Sequence, residues 1–254
     1  MDSLGLRAAL VVPGTSKSAS AREILLAQGA LELLKECLPT LPQVRYMGLG
    51  WGRAVLAFVE ALERTDIFLD GTAEVVPLIG GSGQSLKIFQ INEIARRAAA
   101  VLRVSARLLP APALVENESL RAALFAEVSV RPVAEAWRKL DVAVMGIGRK
   151  LDPTYLAEYL QEDTLQHESL VRSSVSDVCS HYFAAGGEAL GQEHDARLIA
   201  AGRDEFRQIP LAVGVAGGPE KVAGIVGAAR AGLIKALVTD EDTANGCLEV
   251  TDVA

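Results

Sequence analysis

Apolar positions along this chain gather into short, near-continuous runs, and the stretches between them repeat at helical spacing. Runs at 8–12, 44–49, 74–79, 141–145, 211–216 and 236–239 have the length and density of strands buried on both faces. Between them, residues 21–36, 53–64, 88–102 and 219–231 read as helices, and Asp240 opens a closing one. Residues 107–109 predict a further short strand, stopped by Pro110 and Pro112, and residues 197–200 another. Residues 119–139 read as two helices broken at Pro132. Asp152 as N-cap, with Pro153 at the first helical position, predicts a helix through about Leu160. The segment 161–191 is the least periodic and most polar, and is expected to supply a lid or an oligomer contact. Strands alternating with helices are the pattern of βαβ units. The expected fold class is therefore α/β with a mostly parallel sheet, in a single domain over residues 1–254.

Four of the apolar runs end in small glycine-bearing turns: YMGLGWGR (46–53), VVPLIGGSGQ (75–84), VAVMGIGRK (142–150) and LAVGVAGGPEK (211–221). Glycine just past a strand lets the chain turn tightly and lets backbone N–H groups approach a ligand. In an open parallel sheet, ligands bind in the crevice at those strand ends. The turns are thus expected around one pocket for a small polar or anionic ligand, with Gly50, Gly52, Gly81, Gly146 and Gly148 in its backbone. Arg53 and Ala54 start the helix after the first turn, where N–H dipoles favour an anion and Arg53 could add a charge-assisted bond to a phosphate or carboxylate. The same glycines would equally serve close helix–sheet packing, and Trp51 could stack on a sugar face or simply pack. Gln84, Lys87, Gln90 and Asn92 lie at a loop–helix junction. They could bond sugar hydroxyls, with Lys87 meeting a phosphate or aldehyde, or they could form a solvated helix start.

Lys221 also stands at a helix start, where positive charge is unfavourable unless an anion joins it; the alternative is an exposed lysine. Asp177 and Asp240 could accept sugar hydroxyls, although Asp240 reads better as the N-cap of the last helix. His167, His181 and His194 have neither metal-ligand spacing nor a triad order, so no metal, cofactor or catalytic residue is expected. There is no GxxxxGK, and GLGWGR departs from GxGxxG, which argues against nucleotide hydrolysis and dinucleotide binding.

Composition narrows the classes further. Half of the 254 residues are hydrophobic, enough for a sizeable core, yet no stretch reaches membrane-span length and no signal peptide is legible. The three cysteines, Cys37, Cys179 and Cys247, are scattered, as suits a reduced cytoplasm. A net charge of −7 without a basic stripe argues against this chain gripping nucleic acid itself.

The ordered set LVVPG, GLGWGRA, VVPLIGGSGQ, FQINEIA, APA, DVAVMGIG, SDV–HYFAAGG, GVAGGPEKVAGI and ALVTDEDTA resembles the sugar-binding effector domain of the SorC family of bacterial transcriptional regulators. The resemblance runs from about Leu6 to Leu248. It implies a Rossmann-like layered sandwich similar to glucosamine-6-phosphate deaminase and ribose-5-phosphate isomerase, with the ligand at the strand C-termini. It also implies ligand contacts at Gly52, Arg53, Ala54, Gln90, Asn92, Asp177 and Lys221. Ala54 departs from the threonine that many members carry to help hold a phosphate.

The function so implied is effector sensing: binding of a phosphorylated sugar, or a free sugar or polyol, that modulates DNA binding through rearrangement of a homo-oligomer, dimer or tetramer. Operator DNA would be contacted only through an N-terminal helix-turn-helix, which is expected to be absent from this chain, making it a truncated or solitary effector domain. A sugar-phosphate isomerase or deaminase is the alternative; Asp177 and His181 are its only candidate acid/base pair. A third reading is an oligomerisation module that has lost its ligand.

Overall fold

The computed structural model describes residues 4–14, 18–81, 90–150 and 168–252. The first βα unit is β1 (Ala8–Val12) followed by α1 (Ala19–Cys37), and the second is β2 (Tyr46–Leu49) followed by α2 (Arg53–Leu62). Then come β3 (Glu74–Pro77), α3 (Ile91–Leu102), β4 (Ser105–Ala106), α4 (Glu118–Ala126), α5 (Arg131–Trp137) and β5 (Val142–Gly146). The later part holds α6 (Glu168–Ser173), β6 (Ser176–Val178), β7 (His181–Phe183), α7 (Gln192–Asp195), α8 (Arg203–Gln208) and β8 (Leu211–Val215). A 3-10 turn (Pro219–Lys221) leads into α9 (Val222–Arg230), β9 (Ala236–Asp240) and α10 (Glu241–Asp252).

Seven strands form one sheet in the order β1-β9-β8-β5-β2-β3-β4, and every neighbouring pair is parallel. β6 and β7 make a separate antiparallel hairpin. Alternate residues of each central strand feed opposite faces, as the two-residue period of a strand requires. Val142 and Val144 pack with Leu34, Phe58 and Ile94 of α1, α2 and α3. Ala143 and Met145 join Trp137, Phe206 and Ile225 of α5, α8 and α9 on the other face. The result is a three-layer α/β sandwich, and all strand C-termini of the sheet point to one edge.

Three expectations about elements are corrected. The short strand is Ser105–Ala106, not 107–109. Arg107 still donates to the Val75 carbonyl at 2.9 Å, but Leu109 then bonds at both its N–H and C=O, each at 2.9 Å, to the Asn92 side chain, which stands in for a neighbouring strand. Residues 197–200 are extended without forming a strand; they are threaded between two loops through isolated antiparallel bridges from Leu198 to Leu114 and from Ala200 to Ile79. Pro132 does not break the paired helices. It lies in the first turn of α5, where its missing N–H costs nothing, and the break is at 127–130. The helix expected from Asp152 lies outside the described residues, as do residues 161–167 of the polar segment 161–191; the described remainder supplies α6 and the β6–β7 hairpin.

Candidate functional site

A cavity of about 510 Å³ opens at the C-terminal edge of β2, β5 and β8. Its first wall is the exit from β2. The Gly50 N–H donates to the Val144 carbonyl at 2.9 Å, and Gly52 then takes φ +103°, ψ 174°, a conformation only glycine adopts without strain, so that α2 can begin at once with Arg53. The first helical bond runs from the Leu56 N–H to the Gly52 carbonyl at 3.0 Å. The N–H groups of the opening turn therefore point out of the helix beside Trp51, Arg53 and Ala54, which line the cavity. The side chain of Arg53 is 65% exposed, and its Nε lies 3.3 Å from Glu23 Oε1 on α1.

The second wall is the exit from β5. Gly146, Ile147 and Gly148 line the cavity, and the Gly148 N–H donates to the Asp177 carbonyl at 2.8 Å. A Cβ at Gly148 would land on the Asp177 carboxylate, so any larger residue at this crossing of two chains must displace that side chain. Asp177 comes from β6, and its Oδ2 accepts from the Ser180 N–H at 2.9 Å in the left-handed turn of Cys179 and Ser180.

The third wall is the exit from β8. The Gly218 N–H is shared between Asp240 Oδ2 at 2.8 Å and Thr243 Oγ1 at 2.7 Å. Asp240 Oδ1 accepts from the Thr243 N–H at 2.9 Å, the bond of an N-cap to the third helical residue, which fits its sequence reading. The turn carries Lys221 inward, where Nζ donates to the carbonyls of Ile147 and Gly148, each at 2.8 Å. Lys221 is thus half-buried and bonded, not the free surface lysine that its position in the sequence allowed.

Electrostatics follow from this enclosure. Burial raises the Asp177 carboxyl above its usual range, against the opposing pull of the Ser180 N–H, Lys221 and His181. Burial pulls Lys221 down to about 8, against the attraction of Asp177 and Glu220. Burial first, then Asp177, pushes the Cys179 thiol up, so this cavity-lining sulfur is not an activated nucleophile. A prediction arises for Lys221. Affinity for an anionic ligand should fall as pH rises through about 8, while the stability of the unliganded fold should rise from there towards the unfolded-state value, because a depressed lysine pKa means the unfolded chain holds more protons in that window. Calorimetric titration and urea melts at about pH 7 and about pH 9.5 check the two opposite signs, and Lys221→Arg should flatten both.

The cavity brings together Trp51, Gly52, Arg53, Ala54, Gly146, Gly148, Asp177 and Lys221. Gly50 sits behind the wall, against Met145 and Cys179. The other described candidates lie elsewhere. Gly81 is bridged to Pro112, with its N–H on the Ala111 carbonyl at 2.8 Å. Gln90 is the exposed N-cap of α3, and Asn92 spends its amide on Leu109. Gln84, Lys87 and His167 lie outside the described residues. His181 is buried, with Nδ1 3.0 Å from Asp195 and Nε2 2.8 Å from the Ala201 carbonyl; His194 is buried against Tyr182. Among the described residues no cluster of metal-type ligands occurs.

Sequence reasoning missed Arg22, Glu23, Arg149, Lys150 and Glu220, all of which line the cavity. For Arg22 and Glu23 a signal existed. They stand early in the helix after β1, and in a parallel sheet that helix must start at the same edge as the glycine turns.

Residues 1–249 match the family model described as "Putative sugar-binding domain". The chain is 30% identical over 202 residues to the sorbitol operon regulator of Klebsiella pneumoniae, covering 78% of this chain and 63% of that protein. It is 32% identical over 208 residues to the transcriptional regulator LsrR of Enterobacter sp. strain 638, covering 80% and 61%. It therefore spans a little under two thirds of the length of these relatives. The crystal structure of the full-length sorbitol operon regulator SorC from Klebsiella pneumoniae superposes with a TM-score of 0.81 at 25% identity, over 96% of this chain and 77% of that one. With this sheet order, this cavity edge and these matches, the chain belongs to the family of sugar-binding domains found in SorC-type transcriptional regulators.

Proposed function

We propose that the cavity is the effector site of a sugar-responsive transcriptional regulator, and that its ligand is a sugar phosphate or, failing that, a free sugar or polyol. The observation that carries this reading is the convergence of three strand exits on one cavity. Outward N–H groups and Arg53 stand on one side of it, Asp177 and Lys221 on the other. The first side and the Lys221 ammonium of the second suit an anion; the Asp177 carboxylate and the backbone carbonyls suit hydroxyls. Ligand binding would favour one arrangement of a homo-oligomer over another and so reach operator DNA through the helix-turn-helix of such regulators. Sugar phosphates and operator DNA meet in the cytoplasm, and we place the protein there; among the described residues no helix is long and apolar enough to cross a membrane.

Sensing is favoured over turnover by the state of the one acid/base pair that the enzyme reading needs. Both ring nitrogens of His181 are taken, by Asp195 and by the Ala201 carbonyl, and the ring is buried away from the cavity lining. A thermal-shift screen against sugar phosphates and their free sugars tests the reading. A true effector at about a hundredfold its Kd should add roughly 2.7 kcal/mol, or about 5–10 °C in Tm, with no product formed. Turnover of the hit would replace sensing by catalysis, and no shift with any sugar or sugar phosphate would remove the reading.

A further inference from the structure

The anion side of the cavity already contains an anion. Glu23, one turn into α1, places Oε1 3.3 Å from Arg53 Nε, and both side chains line the cavity. Glu23 is the less exposed of the two, at 29% against 65%. Its neighbour Arg22 leans the other way, its Nε 3.4 Å from Asp240 Oδ2. Two consecutive residues of one helix thus reach opposite charges on two different strand exits. We propose that Glu23 is a specificity-determining residue: its carboxylate is the resident counter-ion of Arg53 and competes with the anionic group of the ligand. This rests on the effector-site reading above.

The consequence is a threshold on ligand charge. A ligand bearing one carboxylate merely exchanges with Glu23 for the same guanidinium and gains little. A phosphoryl group brings nearly two charges and three acceptor oxygens, enough to engage Arg53 and the N–H groups at the start of α2 together. The absence of a hydroxyl at Ala54 sharpens this, because Arg53 and the backbone are what remain on that wall to hold the group. The site so built favours sugar phosphates over sugar acids.

The test is titration of the wild-type protein and Glu23→Gln with glucose 6-phosphate, glucitol 6-phosphate, ribose 5-phosphate, gluconate and the matching neutral sugars. In Glu23→Gln the preference for a phosphorylated over a neutral ligand should rise by about two- to fivefold, the size of one partly exposed ion pair. Gluconate, which in the wild type only exchanges with Glu23, should gain more than the phosphorylated ligands and so narrow the preference for phosphates over acids, and both gains should shrink as ionic strength rises. Glu23→Asp, which keeps the charge, should stay near wild type in that preference. An unchanged preference in Glu23→Gln overturns the proposal. So does equal weakening of phosphorylated and neutral ligands, which would make Glu23 a hydroxyl acceptor. If neither protein binds any of these compounds, the effector-site reading itself fails and this inference falls with it.

Discussion

Replacing Asp240 by alanine should cost the fold about 3–4 kcal/mol and lower Tm by about 6–16 °C, the largest loss expected from any one polar side chain at the site. The carboxylate is buried and serves both the last strand and the last helix. Its Oδ2 takes the Gly218 N–H at 2.8 Å, and its Oδ1 takes the N–H and hydroxyl of Thr243 at 2.9 and 2.8 Å. Alanine leaves the Thr243 N–H, the donor of the cap bond, unsatisfied at roughly 1–3 kcal/mol, and removes the charged acceptor of the Thr243 hydroxyl and of the Gly218 N–H, which keeps only Thr243 Oγ1 at 2.7 Å. Asp240→Asn keeps an oxygen for Thr243 but turns an NH₂ towards the Gly218 N–H, so it should fall between wild type and alanine. Urea unfolding of the three proteins checks the order. A loss below about 1 kcal/mol in Asp240→Ala would mean that Thr243 Oγ1 alone suffices for Gly218.

Removal of either cation should weaken a sugar phosphate by about ten- to a hundredfold, the range of a charge-assisted hydrogen bond of roughly 1.5–3 kcal/mol. The two variants should nevertheless differ in the free protein. Arg53→Ala gives up one exposed ion pair, which is worth little, so its stability should hardly change. Lys221→Met gives up the two 2.8 Å bonds to Ile147 and Gly148 that tie the β8 exit to the β5 exit. A stability loss of about 1–2 kcal/mol is expected there, partly offset because a methionine spares the desolvation of a buried charge. Titration with the best sugar phosphate and its free sugar separates the roles. Loss confined to the phosphorylated ligand assigns the residue to the anion, and equal loss for both assigns it to the shape of the pocket. Unchanged affinity in both variants would remove the anion assignment.

Where sequence reasoning succeeded, a single strong force decided the outcome. Val75, Val144, Val213 and Val238 are fully or almost fully buried, and nothing but a central parallel strand hides such runs on both faces. The glycine exits were legible for a similar reason, since the chain must turn where α2 and the 3-10 turn begin. Where it failed, a long-range partner had decided. Asn92 looked like a ligand contact because an amide at a helix start is usually free to bond one; here the backbone of Leu109, seventeen residues on, claims it. Residues 197–200 have the apolar density of a strand, but their partners are loop segments near Ile79 and Leu114 that offer only single bridges. Lys221 was placed correctly at a helix start, yet its enclosure depends on a turn more than seventy residues earlier, which local spacing does not reveal.

The register of the outermost pair has a consequence for how this domain comes to exist. β1 pairs along its whole length with β9, from Ala8 opposite Ala236 to Val12 opposite Asp240. During synthesis β1 must therefore wait for the strand that begins at Ala236 before it finds its neighbour, and contacts so distant in sequence form slowly. The helix that follows it carries Arg22 and Glu23, which line the cavity. A nascent chain on the ribosome thus holds β2, β3 and β5 long before it holds a complete pocket. A complete cavity is therefore expected only after β9 has left the exit tunnel.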